Sequence, residues 1–214
     1  MLTKLDAVNA CLAGIGLAPV STVDEANLDL DAASALQVVE RLTIHLQARG
    51  WWFNEEGSWR ITPDTITGYV AVPNTALSFI TSGDSRHLKL SIRDSKVYDL
   101  ENHTFDLRSL VYTPAGSTIG YIEFTMITAL SFEDLPPVAR IAVGYTARRQ
   151  FAQDMEVDER RWKFQREEEA TANNQLISED SRNKKRNSIT GNPRIVNFLL
   201  KAGGPNSYQY LGGL

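Results

Sequence analysis

Cysteine occurs once in these 214 residues, at Cys11. No intramolecular disulfide is therefore available, and a small thiol set among Ala10, Leu12 and Ala13 reads as a buried packing residue. Long apolar runs are also missing. None approaches the roughly 18 residues needed to span a bilayer, and the amino terminus opens on a helical pattern containing Thr3, Lys4 and Asp6, without the shape of a signal peptide. The expectation is a soluble protein made in a cytoplasm, with no membrane partner. Histidine is scarce: His45, His87 and His103 stand far apart, with no Cys or His two to four residues from another, so no metal or other cofactor is expected. No nucleophile elbow, phosphate loop or dinucleotide fingerprint occurs. Acid disappears toward the end: Arg182, Lys184, Lys185, Arg186, Arg194 and Lys201 face no Asp or Glu from 182 onward, although the whole chain carries −4. An acidic body with a basic arm follows. Such a body is unsuited to gripping DNA, yet it would let DNA slide past without sticking.

What is present divides by periodicity. Thr3 with Asp6 forms a capping-box pattern, and Leu5, Val8, Leu12 and Ile15 recur at helical spacing until Gly16, Ala18 and Pro19. A second helix is expected from about Asn27, with Leu28, Ala32, Leu36, Val39, Leu42 and Leu46 on one stripe and Gly50 as its stop. From about Ser58 to Thr128 the period falls to two, clearest where Leu88, Leu90 and Ile92 alternate with polar residues. Turn signals at Pro63-Asp64, Pro73-Asn74, Gly83-Asp84 and Pro114 to Gly116 divide this stretch, and Ile119, Tyr121, Phe124 and Met126 suggest a long last strand. Glu133 and Asp134 read as a helix start. Pro136 and Pro137 suit its first turn, and Val138, Ile141, Tyr145 and Phe151 continue it. A fourth helix over about 158–183 carries a weaker stripe of Trp162, Gln165, Glu169, Ala172 and Leu176.

The expected fold is therefore α+β: an antiparallel four-helix bundle (1–50 and 131–186) with an inserted antiparallel β-rich domain (51–130) and an extended C-terminal arm (187–214). At the first seam stand Gly50, Trp51, Trp52, Phe53 and Asn54. The glycine reverses the chain, and the aromatics follow at once, each able to bury about 150–250 Å². Gly50, Trp51, Phe53 and Pro136 are expected to clamp sheet to helices. Trp52, one position out of phase, is expected at a subunit interface with Arg160, Arg161, Trp162 and Glu168. The arm combines glycine and proline with Arg194, Ile195, Phe198, Leu199, Leu200, Tyr208 and Tyr210, more apolar content than a solvated linker carries.

Several blocks in series resemble the tail tubular protein A family of T7-like short-tailed phages. They are Leu5 to Asn9 with Gly14-Ile15-Gly16 and Pro19-Val20, then Gly50-Trp51-Trp52-Phe53-Asn54. Ile61 to Asp64, Val72-Pro73-Asn74 and Arg93 through Val97-Tyr98-Asp99 come next. Asp134-Leu135-Pro136, Ala147-Arg148-Arg149-Gln150-Phe151 and a glutamate- and alanine-rich last helix complete the series. The resemblance implies a non-enzymatic virion protein of the tail at the portal vertex, a head-tail adaptor or connector. It would form a dodecamer, a ring of twelve copies, between the portal protein and a tail nozzle protein of the tail tubular protein B type, with DNA passing through during ejection. A tail fibre or spike would attach nearby, and the arm would bind the portal. The residues after 187 match no pattern of that family. A different class stays open on the residues alone: a tail-associated glycan-binding or glycan-hydrolysing protein. Its motivation is Glu55 with Glu56, Glu133 with Asp134, Asp158 with Glu159, and the tyrosines Tyr69, Tyr98 and Tyr112, although paired hydrolytic carboxylates must face each other across a cleft.

Overall fold

The computed structural model describes residues 2–155 and 159–184, and the side chains of 159–162 are left out of the description. Helices α1 (Lys4–Ile15), α2 (Val23–Leu28) and α3 (Leu30–Gln47) come first. Strands β1 (Glu55–Ile61), β2 (Ala76–Thr81), β3 (Leu90–Arg93), β4 (Lys96–Asp99) and β5 (Ile122–Thr128) follow, then α4 (Pro137–Asp154) and α5 (Glu159–Asn183). The expected mixture of helices and small antiparallel sheets is present. Among the described residues there are five helices instead of four, and their arrangement centres on α4, which packs against α1, α3 and α5, while α2 packs on α3.

Local chemistry explains most boundaries. Thr3 and Asp6 close the capping box on α1: the Asp6 N–H donates to Thr3 Oγ1 at 3.1 Å, and the Thr3 N–H donates to Asp6 Oδ2 at 2.8 Å. These bonds lower the Asp6 pKa. The second helix does not start near Asn27. Asp29 takes an extended conformation and accepts from the Ala32 N–H at 2.8 Å, so it ends α2 and caps α3 at once. Leu28 consequently leaves the expected stripe and is 90 % exposed. Glu133 and Asp134 lie in a 3-10 turn (Phe132–Asp134) before α4, not in its first turn, and Pro136 is its N-cap.

Helix α4 shows why periodicity misjudged its face. Of the expected stripe, Phe151 is buried, Val138 and Tyr145 are half-buried, and Ile141 is exposed. The fully buried positions are Ala139, Ala142, Val143 and Ala147. A helix touched on three sides buries more than one stripe, and small residues let three neighbours approach its backbone. The same applies to α1, where Ala7 and Cys11 join Val8 and Leu12 in the core while Leu5 and Ile15 are only half-buried. Desolvation there pushes the Cys11 thiol up to about 12, as expected of an inert packing thiol.

The sheet region has its own apolar cluster. β5 is the middle strand of an antiparallel sheet in the order β1-β5-β2, and β3 with β4 forms a separate hairpin. Six of the seven β5 residues are buried, so burial does not follow the apolar and polar alternation of Ile122 to Met126. Ile119 lies outside it and is 63 % exposed. Asp94 and Ser95, at φ 50° and 54°, make the two-residue turn between paired Arg93 and Lys96, the left-handed geometry that matches strand twist. Val70, Val97, Leu107, Ile122, Phe124 and Met126 form this second cluster, apart from the helical one that contains Val8, Leu12, Val39, Trp51, Phe151 and Leu176.

At the base of the hairpin, burial opposes ionisation of Asp99, but bonds from the Asn102 side chain and the Glu101 and Asn102 N–H groups outweigh it and lower its pKa. Its stabilising contribution is full above about pH 4, the unfolded value, and is lost as pH falls through the lower folded value. Asp99→Asn should therefore flatten the fall in stability below about pH 4 in urea titrations at stepped pH; a slope identical to the parent would remove Asp99 from that account.

Candidate functional site

The seam between the helices and the sheet is the most densely bonded place in the described structure. Gly50 has φ 76°, a left-handed conformation that favours glycine, and a side-chain carbon there would also displace the Ile127 side chain, whose Cδ1 would stand 2.7 Å away. Trp51 is buried in the helical cluster, and its Nε1 donates to the Leu46 carbonyl at 2.6 Å. Trp52 and Phe53 are half-buried against the same cluster, with ring centroids 5.0 Å apart and edge to face. All three aromatics thus belong to the helices.

The bonds across the seam are made by two amides. Asn54, 1 % exposed, donates through Nδ2 to the Gln47 carbonyl (3.0 Å) and the Thr128 carbonyl (2.9 Å), and its Oδ1 accepts from the Trp51 N–H (2.8 Å). Gln47 is fully buried; its Nε2 donates to the Leu130 carbonyl (2.9 Å), and its Oε1 accepts from the Leu130 N–H (2.7 Å). The end of α3, the start of β1, the end of β5 and the approach to α4 are thereby joined through amide donors and acceptors. Sequence reasoning placed Asn54 in the block but gave it no role, and it missed Gln47 altogether. The available signal was a polar residue at the buried phase of a helix, just before its glycine stop.

The far end of α5 reaches the same seam. Asp180 Oδ1 accepts from the Trp52 N–H at 3.0 Å, and Lys184 Nζ donates to the Gly50 carbonyl at 3.1 Å and pairs with Glu55 Oε2 at 2.6 Å. Lys184, the last described residue, therefore stands at the junction of helices and sheet. Arg194, Ile195, Phe198, Leu199, Leu200, Tyr208 and Tyr210 lie outside the described residues, as do the side chains of Arg160, Arg161 and Trp162. Glu168 pairs with Arg148 and Glu169 with Arg149, linking α5 to α4 within the chain. The remaining α5 stripe is as expected: Gln165, Ala172 and Leu176 are buried and Glu169 is half-buried.

Three of the six carboxylates proposed for hydrolysis have structural partners, and the side chain of Glu159 lies outside the description. Glu55 pairs with Lys184, Glu56 accepts from Thr128 Oγ1 (3.1 Å) and Trp59 Nε1 (3.1 Å), and Asp134 accepts from Ser131 Oγ (2.8 Å). Asp158 lies outside the described residues. Tyr69 and Tyr112 are each 41 % exposed, but Tyr98 is half-buried, its ring 4.9 Å from Phe105 with the Arg93 guanidinium 3.9 Å from its centroid. Among the described residues, no group of three or more His, Cys, Asp or Glu is placed to hold a metal, and no helix is long and apolar enough to cross a membrane.

The model of a family described as tail tubular protein matches residues 5–186. No curated protein matches the chain.

The seam and the α4–α5 ion pairs yield two measurable effects. Asn54→Ala removes the side-chain partners of the Thr128 carbonyl and the Trp51 N–H and leaves the Gln47 carbonyl only its bond from the Gly50 N–H, and should lower unfolding free energy by about 2 kcal/mol in urea; a loss under about 0.5 kcal/mol would mean water replaces the side chain. Arg149→Ala leaves the poorly exposed Glu169 unpaired and should cost about 1–2 kcal/mol, less in high salt; a cost of zero at low salt would show the pair to be idle.

Proposed function

Because the chain belongs to the tail tubular protein family of phages and is a structural protein of the phage tail, we propose that it is the adaptor ring joining the portal to the tail nozzle. In this reading copies of the chain close a ring of twelve, DNA passes through it during ejection, and a tail fibre or spike attaches nearby. The observation that carries the reading is the course of α5. Its last turn is bonded to Gly50, Trp52 and Glu55, so the basic segment that follows leaves from the seam between two differently built parts. A protein that holds two partners needs two surfaces in fixed relation, and a bonded seam supplies that relation.

Each part has its own role in this proposal. Residues 1–50 with 131–186 form the ring and line the channel, 51–130 face the nozzle and fibre, and 187–214 reach the portal through Arg194, Ile195, Phe198, Leu199, Leu200, Tyr208 and Tyr210. Gly50, Trp51, Phe53 and Pro136 form the helical side of the clamp, and Asn54 and Gln47 make its bonds to the sheet end. Trp52, Arg160, Arg161, Trp162 and Glu168 are assigned to the neighbouring copy. The acidic body supports passage of DNA without adhesion, by sign of charge.

Deleting 187–214 should abolish co-sedimentation with assembled portal while circular dichroism and thermal unfolding stay those of the full chain. Portal binding that survives the deletion would take the arm out of the mechanism. Electron microscopy of a portal complex should find β1 to β5 on the side away from the portal, and density for the sheet against the portal would reverse the proposed orientation.

A further inference from the structure

Two surface features of the helical part are unexplained by the seam. The first is the corner between α2 and α3. Leu28 is 90 % exposed and Leu30 82 % exposed, with Asp24, Glu25, Asp29 and Asp31 beside them. Scattered exposed leucines are ordinary, but two at one corner inside an acidic run form a small apolar projection with a negative rim. The second is a groove of about 760 Å³ where the C-terminal half of α3 meets α4 and α5. Leu42, Leu46, Trp51, Val143 and Ile177 give it apolar walls. Its α3 edge carries Arg41, His45 and Arg49, all exposed, with the Arg49 guanidinium 5.0 Å from the Trp51 ring centroid. On its other side, Arg149 is already paired with Glu169.

We propose that the Leu28–Leu30 corner of one copy docks in this groove of the next copy, making a charge-matched contact between unlike patches. Apolar meets apolar at the centre, and the acidic rim meets Arg41 and Arg49 at the edge. The two patches sit toward opposite ends of α3, about 20 Å apart along a straight helix, so no copy can satisfy its own groove. Unlike patches joined in this way are what a chain of copies requires in order to close into a ring. The contact depends on the proposed adaptor function only in needing a second copy. The segment 187–214 is a poorer occupant, since it carries Arg194 and Lys201 and no acid, the same sign as the groove edge.

Single-cysteine placement tests this directly, because the native Cys11 is wholly buried and does not compete. Full-length Leu28→Cys and His45→Cys chains are mixed at high concentration and low salt under mild oxidation. The mixed disulfide should exceed either like-with-like dimer at least tenfold. Adding Arg41→Glu and Arg49→Glu to the groove copy should cut that yield at least tenfold, and Asp24→Lys with Asp31→Lys on the corner copy should restore it. Like-with-like dimers in equal yield, no linkage at all, or failure of the charge swap to restore linkage would each overturn the proposal. A preferred disulfide between His45→Cys and Phe198→Cys would instead give the groove to the arm and also overturn it. Portal co-sedimentation of the parent chain separates the two readings. Linkage without portal binding sinks the adaptor function and leaves this contact standing; portal binding without linkage does the reverse.

Discussion

The whole arrangement hangs on the buried amides of Asn54 and Gln47. A β-strand that starts so soon after a helix ends must turn its backbone through the interior, where unpaired N–H and C=O groups are costly. Asn54 and Gln47 supply donors and acceptors at that place, and each reaches backbone more than seventy residues away in sequence. Apolar residues in their positions would fill the space but leave the Trp51 N–H and the Thr128 and Leu130 groups to find other partners. The aromatic block is left with a narrower role, in which Trp51 seals the helical cluster while the amides orient the sheet against it.

A second constraint follows from α4. Since three helices touch it, its buried surface extends around most of its girth, and this is built from alanines, Gly144, Val143 and Phe151. Small side chains contribute little burial each, so the layer depends on close approach over many positions instead of a few large anchors. The ion pairs of Arg148 and Arg149 with Glu168 and Glu169 lie in the α4–α5 contact, where the long stems cover apolar surface and the Arg149–Glu169 pair is largely shielded from water.

These two features decide what was legible in the sequence. The capping box at Thr3, the glycine stop at Gly50, the Pro136-Pro137 start, the α5 stripe and the division into helix, strand and helix all rest on local chemistry, and all are present. The α4 stripe and part of the α1 stripe were misplaced because periodic reading favours large apolar residues and passes over Ala7, Ala139 and Ala142, although Val8, Cys11 and Leu12 are buried as expected. Leu28 was assigned to the core because the Thr22 and Glu25 cap signal was passed over: Thr22 Oγ1 accepts from the Glu25 N–H at 3.1 Å and starts α2, which Asp29 then ends as it caps α3. The role of Gln47 was hidden for a different reason: a glutamine near a helix end gives no sign of its partner, which lies at Leu130.

The position of α5 connects stability to assembly. Lys184 stands against Gly50 and Glu55, with Asp180 on the Trp52 N–H, so the last turn of α5 is fixed at the seam. The two apolar clusters are joined at the same place by the amide bonds of Asn54 and Gln47. Surface ion pairs alone would yield one by one, since each is weak and screened by salt. The last turn of α5 is tied both to the aromatic block, through Trp52 and Gly50, and to the first strand, through Glu55.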